Sequence, residues 1–180
     1  LALVGGFALA TPAAAHPLGN ASVNQYSRIE VGADAVTVTY VMDLAEIPTL
    51  QERLLLDADG DGAVSAAEEL GYLDRTLAEV VPELRLAIDG EPQPLTIVDR
   101  SFALQDGQAG LSTSRLQATL TSPLRLVDAA SHALEFRNDH ATDRQGWREI
   151  VLANGDGIGL DAGAAATTDR SNGLTAYPED

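Results

Sequence analysis

Apolar and polar positions change rhythm twice along this chain. NASVNQYSRIEV alternates loosely through Val23, Tyr26 and Ile29, and in AVTVTYVMDL the residues Val36, Val38, Tyr40 and Met42 fall on one face at period two. The GAD step between them predicts a hairpin. Residues 46–81 switch to helical spacing. Ile47, Leu50 and Leu54 make one stripe, with Thr49 and Glu52 placed as a capping box, and Leu70, Leu73, Leu77 and Val80 make a second, ended by Pro82. Gly71 inside that second helix costs about 1 kcal/mol relative to Ala, so packing rather than propensity must hold it.

Strand rhythm returns at LRLAIDG, where Asp89-Gly90 predicts a turn into PQPLTIVD. It continues through SFALQ, STSRLQATLT, SHALEFRND and WREIVLA, separated by Gly107, Gly110, Pro123 and Gly146. Short strands at this spacing predict a mainly β protein, an antiparallel β-sandwich of immunoglobulin-like type, with a helix-loop-helix insertion at 46–81 between strands 2 and 3. The sandwich domain is expected over residues 16–165. From 166 to 180 the text is small and polar, and reads as an edge strand leading into a linker.

The loop between the helical stripes is DADGDGAVSAAE, with four carboxylates and two glycines in twelve positions. Counting Asp57 as position 1, Asp59 is 3, Asp61 is 5, Gly62 is 6, Ala63 is 7, Ser65 is 9 and Glu68 is 12, which fills every slot of an EF-hand loop. A hard divalent cation takes six to eight oxygens, and short carboxylates at alternate positions converge only if the chain turns sharply at Gly62. Ala63 would offer its carbonyl. Ser65 would act through water and cap the next helix, and Glu68 would reach back with both oxygens. Val64 should tie the loop to its neighbour. A solvated acidic turn is the plainer alternative, and the full twelve-position match decides against it. A lone EF-hand is expected to bind calcium weakly, with Kd roughly 10⁻⁴ to 10⁻³ M. Glu52 and Arg53 break the apolar spacing of the entering helix, which favours a structural calcium over a sensor.

Charge sharpens this picture. Twenty-seven acidic residues against eleven arginines give a formal charge of -16 over 180 residues, which excludes nucleic acid as a partner and makes divalent cations the natural small ones. Cysteine is absent, so disulfides and thiolate chemistry are excluded. LALVGGFALATPAAA is an uncharged apolar run with Ala13 and Ala15 at the -3 and -1 positions of a cleavage site, so residues 1–15 read as the remnant of a signal peptide. A buried N-terminal helix is the alternative. Downstream no apolar run is long enough to span a bilayer, and the chain reads as extracytoplasmic.

Cleavage there would leave His16 with a free α-amine beside its imidazole, a two-nitrogen chelator suited to nickel or copper. His132 and His140 would complete such a site only if the fold brings them near. The plain reading makes His16 a cleavage boundary and the others surface residues. The one Trp, in DRQGWREI, reads as a core anchor with a charged rim. NGDGIGLDAG at 154–163 is a single copy of a G-x-G-x-D pattern and reads as hairpin-turn residues, since one copy cannot build a β-roll. No nucleophile motif, phosphate loop or zinc-protease pattern is present, so an enzyme is not expected.

AHPLGNASVNQYSRIEVGADAVTVTYVMDLAEIPTLQE, with DRQGWREI and the late LTAYP, resembles the extracytoplasmic N-terminal region of bacterial nickel/cobalt transporter-like membrane proteins, over nearly all of residues 15–178. Where that family has Phe after HPLGN, this chain has Ala21. The resemblance implies a β-rich domain followed by a linker and a multi-helix permease, and a role in handling Ni2+ or Co2+ at the outer face of that permease. None of the permease helices lies in these 180 residues. Two rival readings remain: a free-standing transition-metal module or metallochaperone centred on His16, and an interaction or adhesion module.

Overall fold

The computed structural model describes residues 19–125, 131–163 and 165–177. Eight strands and two helices follow in the order β1 (Val23–Val31), β2 (Ala35–Leu44), α1 (Glu46–Leu56), α2 (Ala66–Val80), β3 (Leu84–Ile88), β4 (Glu91–Gln93), β5 (Thr96–Asp106), β6 (Ser112–Pro123), β7 (Leu134–Asn138) and β8 (Arg148–Asn154). They form a five-stranded sheet, β5-β6-β2-β1-β8, and a three-stranded sheet, β4-β3-β7. The chain is thus mainly β, with both helices between β2 and β3. One pairing departs from the antiparallel expectation: β8 runs parallel to β1, so the larger sheet is mixed. Periodicity tells which face of a strand is buried; it carries no information about which distant strand closes an edge.

The core is built from the expected period-two face. Val36, Val38, Tyr40 and Met42 are buried, and across the ladder Val38 faces Leu120, Tyr40 faces Ala118 and Met42 faces Leu116. Leu84 and Leu86 from the small sheet and Leu73, Leu77 and Val80 from α2 join the same cluster. α2 is seated on β5 by an edge-on contact of Tyr72 with Phe102, 5.1 Å between ring centres, and by the Asp74–Arg100 ion pair at 2.7 Å.

β1 is buried on both faces. Val23, Ile29 and Val31 point into the core; Tyr26 points the other way into a second cluster with Val41, Val151 and Leu174. That outer cluster exists because residues 165–177, read as an edge strand and linker, form no strand and instead pack across the sheet. Glu149 on β8 holds them. Its carboxylate accepts from the amides of Arg170 and Ser171, from the Ser171 hydroxyl and from the Trp147 indole. Burial pulls the Glu149 carboxyl upward, and these donors outweigh it and keep it below its usual range. Trp147 meets Tyr177 edge-on at 6.2 Å, with Arg170 over its ring at 5.3 Å, which accords with an anchoring role. Tyr26 donates to Asp169 at 2.9 Å and Asn24 to Tyr177 at 3.1 Å. Arg115 bridges buried Asp43 and the Gly173 carbonyl.

α1 differs from its sequence pattern. It starts at Glu46 with no side-chain cap, and Pro48 lies in the first turn, where a missing amide hydrogen costs little. Thr49 is inside the helix, not at its start; its hydroxyl donates to Leu44 O at 3.0 Å and lies 3.3 Å from the Ser114 hydroxyl. These polar contacts turn Ile47, Leu50 and Leu54 outward, with Leu54 86% exposed. In α2, Leu73, Leu77 and Val80 are buried as expected and Leu70 is not. After β8, Asp156-Gly157 turns, but no returning strand follows among the described residues, so the turn in NGDGIGLDAG joins no hairpin there.

Among the described glycines, Gly146 makes the closest approach to a neighbouring chain segment. A Cβ there would lie 2.0 Å from the Val23 carbonyl oxygen. Gly146→Ala is therefore expected to lower unfolding free energy by about 3 kcal/mol through forced displacement of β1 from the chain entering β8. Gly159→Ala, which meets open space, should stay within about 0.5 kcal/mol of the parent in urea unfolding.

Candidate metal centre

The acidic loop begins where α1 ends, with the Asp57 amide still donating to Arg53 O at 2.8 Å. Gly60 and Gly62 take φ of 75° and 87°, a backbone region that L side chains avoid, and this lets the chain fold back over its own aspartates. Each aspartate accepts an amide farther along: Asp57 Oδ2 from Gly62 at 3.0 Å, Asp59 Oδ1 from Asp61 at 3.1 Å, and Asp61 Oδ1 from Ala63 at 2.8 Å. The turns so formed gather one carboxylate oxygen from each of Asp57, Asp59 and Asp61 within 4.8 Å of one another. Among the described residues this is the one group of three or more ligand-type side chains that converges. Asp57 Oδ1 is buried and accepts no hydrogen bond.

Carboxylates this close repel one another, and a buried oxygen without a donor is costly; a cation at their centre relieves both. An all-carboxylate donor set suits a hard, oxygen-seeking divalent ion. The residues present therefore fit a metal ion on geometry and on chemistry.

Glu68 is held differently. Ser65 caps α2 by accepting from the Glu68 amide at 3.3 Å, while Glu68 Oε2 accepts from the Ser65 amide and hydroxyl, both at 2.8 Å. Glu68 Oε1 accepts from the amides of Ala58 and Asp59. Four donors fill the lone-pair positions of an ionised carboxylate, so in this arrangement Glu68 closes the loop onto the helix and stands outside the converging trio. Ala63 lies on the exposed rim, and the Val64 side chain is half-buried in a groove shared with Leu56, Leu104 and Leu111. Spacing alone did not single out Arg53, whose guanidinium donates to Gly62 O at 3.0 Å and ties the turn to α1.

His16 lies outside the described residues. His132 sits 2.7 Å from Asp89 before β7, and His140 follows β7, so a strand about 17 Å long separates the two histidines. The fold does not join them in one site.

No model of a known protein family and no curated protein matches the chain. What fold and site define is a mainly β protein carrying, between two helices, an aspartate triplet able to hold a metal ion.

Hydrogen bonds from the Ser65 amide and hydroxyl, then from Asp59 and Ala58, lower the Glu68 pKa from 4.5 to about 2. Because the folded value is depressed, Glu68 contributes its full stability above 4.5 and loses it as pH falls through about 2. Asp43 has the opposite sign: burial, opposed by Arg115, raises it from 3.8 to about 6, so the folded state gains as Asp43 protonates across that interval. Asp43 is common to parent and variant and cancels in their difference. In the presence of a chelator, the stability gap between the parent and Glu68→Gln should stay flat above pH 4.5 and close toward pH 2, measured by denaturation at each pH.

Proposed function

We propose that residues 57–68 form an EF-hand calcium site and that the chain is a calcium-stabilised extracytoplasmic domain, an immunoglobulin-like sandwich with the EF-hand inserted between β2 and β3, of a nickel/cobalt transport protein. The observation that carries the calcium reading is the orphaned, buried Asp57 Oδ1 inside a converging aspartate triplet. The twelve-position spacing supports it independently, since Ala63 and Glu68 hold sequence positions 7 and 12 of that pattern, and Glu68 would join the ion by exchanging its loop donors for it. The transport context is supported by the resemblance of the HPLGN, DRQGWREI and LTAYP segments. No described helix is long and apolar enough to cross a membrane.

A bound calcium supplies two positive charges against the three converging aspartates. The chain's own residues do the rest: Gly62 makes the turn, Arg53 anchors it, and the Ser65–Glu68 box fixes the start of α2. α1 is held on β6 through Thr49 and Ser114, and α2 on β5 through Tyr72 and Asp74. Helices anchored this way have little freedom to swing apart, which argues for a lock rather than a sensor that opens a groove.

At calcium about a hundredfold above Kd, binding to the folded state alone adds about 2.7 kcal/mol. For a chain of this size that is a rise of roughly 5–10 °C in the melting midpoint. The rise should vanish in Asp57→Ala, Asp59→Asn and chelator-treated samples. A midpoint of the parent protein that calcium leaves in place rejects the calcium reading. In cells, Asp57→Ala in the intact transporter should lower nickel or cobalt flux, and unchanged flux at equal protein level rejects the transport role.

A further inference from the structure

A second opening lies away from the aspartates. It is a cleft of 340 Å³ between α1, α2 and the segment joining β7 to β8. Its floor is apolar and buried, formed by Val23, Met42, Leu44 and Tyr72. Its rim is charged: Glu52 comes from α1, Arg75 and Glu79 from α2, and His140, Asp143 and Arg144 from the joining segment. A cavity with an apolar base and a few converging polar groups is the usual form of a small-molecule site.

The charges on that rim do not cancel. Three carboxylates, those of Glu52, Glu79 and Asp143, stand against two guanidiniums, and the Arg75 guanidinium is turned to the Leu55 carbonyl at 2.6 Å. Burial, with Arg148 nearby, pushes the His140 pKa below its usual value, so its ring is neutral at neutral pH. Glu52 and Glu79 line the cleft from the two helices, and Arg144 is the cation that acts on Glu52 from the joining segment. Burial raises the Glu52 pKa, Glu79 adds to the rise and Arg144 works against it. The wall is also preformed. The His140 carbonyl accepts from Gln25 Nε2 at 3.1 Å and from Arg148, and its amide donates to Asn138 Oδ1 at 3.1 Å. Ala141 is held at φ 46°, a conformation rare outside glycine that persists where surrounding contacts impose it.

A bare metal ion is a poor occupant. Among the described residues the one group of three or more ligand-type side chains that converges is the aspartate trio of the loop, so Glu52, Glu79 and His140 do not together meet closely enough to coordinate one ion. A larger cation with an apolar body meets both the floor and the carboxylates. We propose that this cleft binds a small amphipathic organic cation, its apolar body on Met42, Leu44 and Leu55 and its ammonium group between Glu52 and Glu79. The volume is near the lower end of ligand pockets, which suits a single ring with a short amine chain, and the carboxylates of the rim disfavour a nucleotide's phosphates. None of the loop aspartates lines the cleft, so this inference stands apart from the calcium reading.

The probe is 2-phenylethylamine, with 3-phenylpropionate as its anionic counterpart, added to the calcium-loaded chain at neutral pH. Met42 is the one methionine, so its methyl resonance reports on the cleft floor without ambiguity. A saturable shift with the amine in the millimolar range is expected, with a much smaller one for the carboxylate. Glu52→Gln combined with Glu79→Gln should weaken binding roughly tenfold or more, and Arg144→Gln, which removes the opposing charge, should tighten it. Glu91→Gln, an exposed carboxylate on β4 away from the cleft, should leave it unchanged. No Met42 shift at tens of millimolar amine, equal shifts from both probes, or weaker binding by Arg144→Gln overturns the proposal. The Arg144 variant keeps the test decisive if the double variant does not fold.

Discussion

A strand buried on both faces must be covered twice, and in this chain that strand is β1. Its inner face meets the hydrophobic core through Val23, Ile29 and Val31, while buried Gln25 accepts from the Tyr40 hydroxyl and from Asn138 Nδ2. Its outer face is covered by residues 165–177, latched to Glu149, Asn24 and Tyr26. Polar groups at Asn24, Gln25 and Ser27 would be costly in a strand facing one oily layer. Asn24 and Gln25 instead serve as connectors, because each bonds to a segment remote in sequence. The close approach of Gly146 to Val23 belongs to the same requirement, since β8 can lie parallel beside β1 only if the chain entering it passes without a side chain.

The helix pair depends on this sheet rather than on itself. α1 leaves β2 after one residue, Ala45, and is pinned by Thr49 and by Glu46, whose Oε1 accepts the Gln108 amide at 2.9 Å. With both helices fixed by the β5–β6 pair, the loop between them has its ends set before any ion arrives. That preorganisation reduces the ordering cost of binding, while the mutual repulsion of the aspartates remains for a cation to relieve.

Much of this was legible in the sequence where information is local. Val36, Val38, Tyr40 and Met42 declared their shared face because one side of β2 meets nothing but core. The aspartates at 57, 59 and 61 declared their convergence because three turns of a short loop bring them together. What could not be read was set by distant partners. The apolar stripe Ile47, Leu50 and Leu54 pointed to the wrong face because polar contacts from Thr49 and Glu46 orient α1. Nothing in the neighbourhood of Tyr26 announces the second layer that covers it. Residues 165–177 have no period to read: they are held by hydrogen bonds to Glu149 and Arg115, and a coil docked by individual donors leaves no rhythm in the text. The cleft, likewise, draws its walls from segments up to 121 positions apart, Val23 to Arg144.

The docked segment has a mechanical side. Tension applied to the chain near Tyr177 does not reach one sheet edge. It passes through Tyr177 to Asn24 on β1, through Gly173 to Arg115 on β6, and through Ser171 to Glu149 on β8, so three strands share the load. A chain fastened across the grain of its own sheet behaves as a rivet, transmitting displacement into the body of the domain before it unzips any strand.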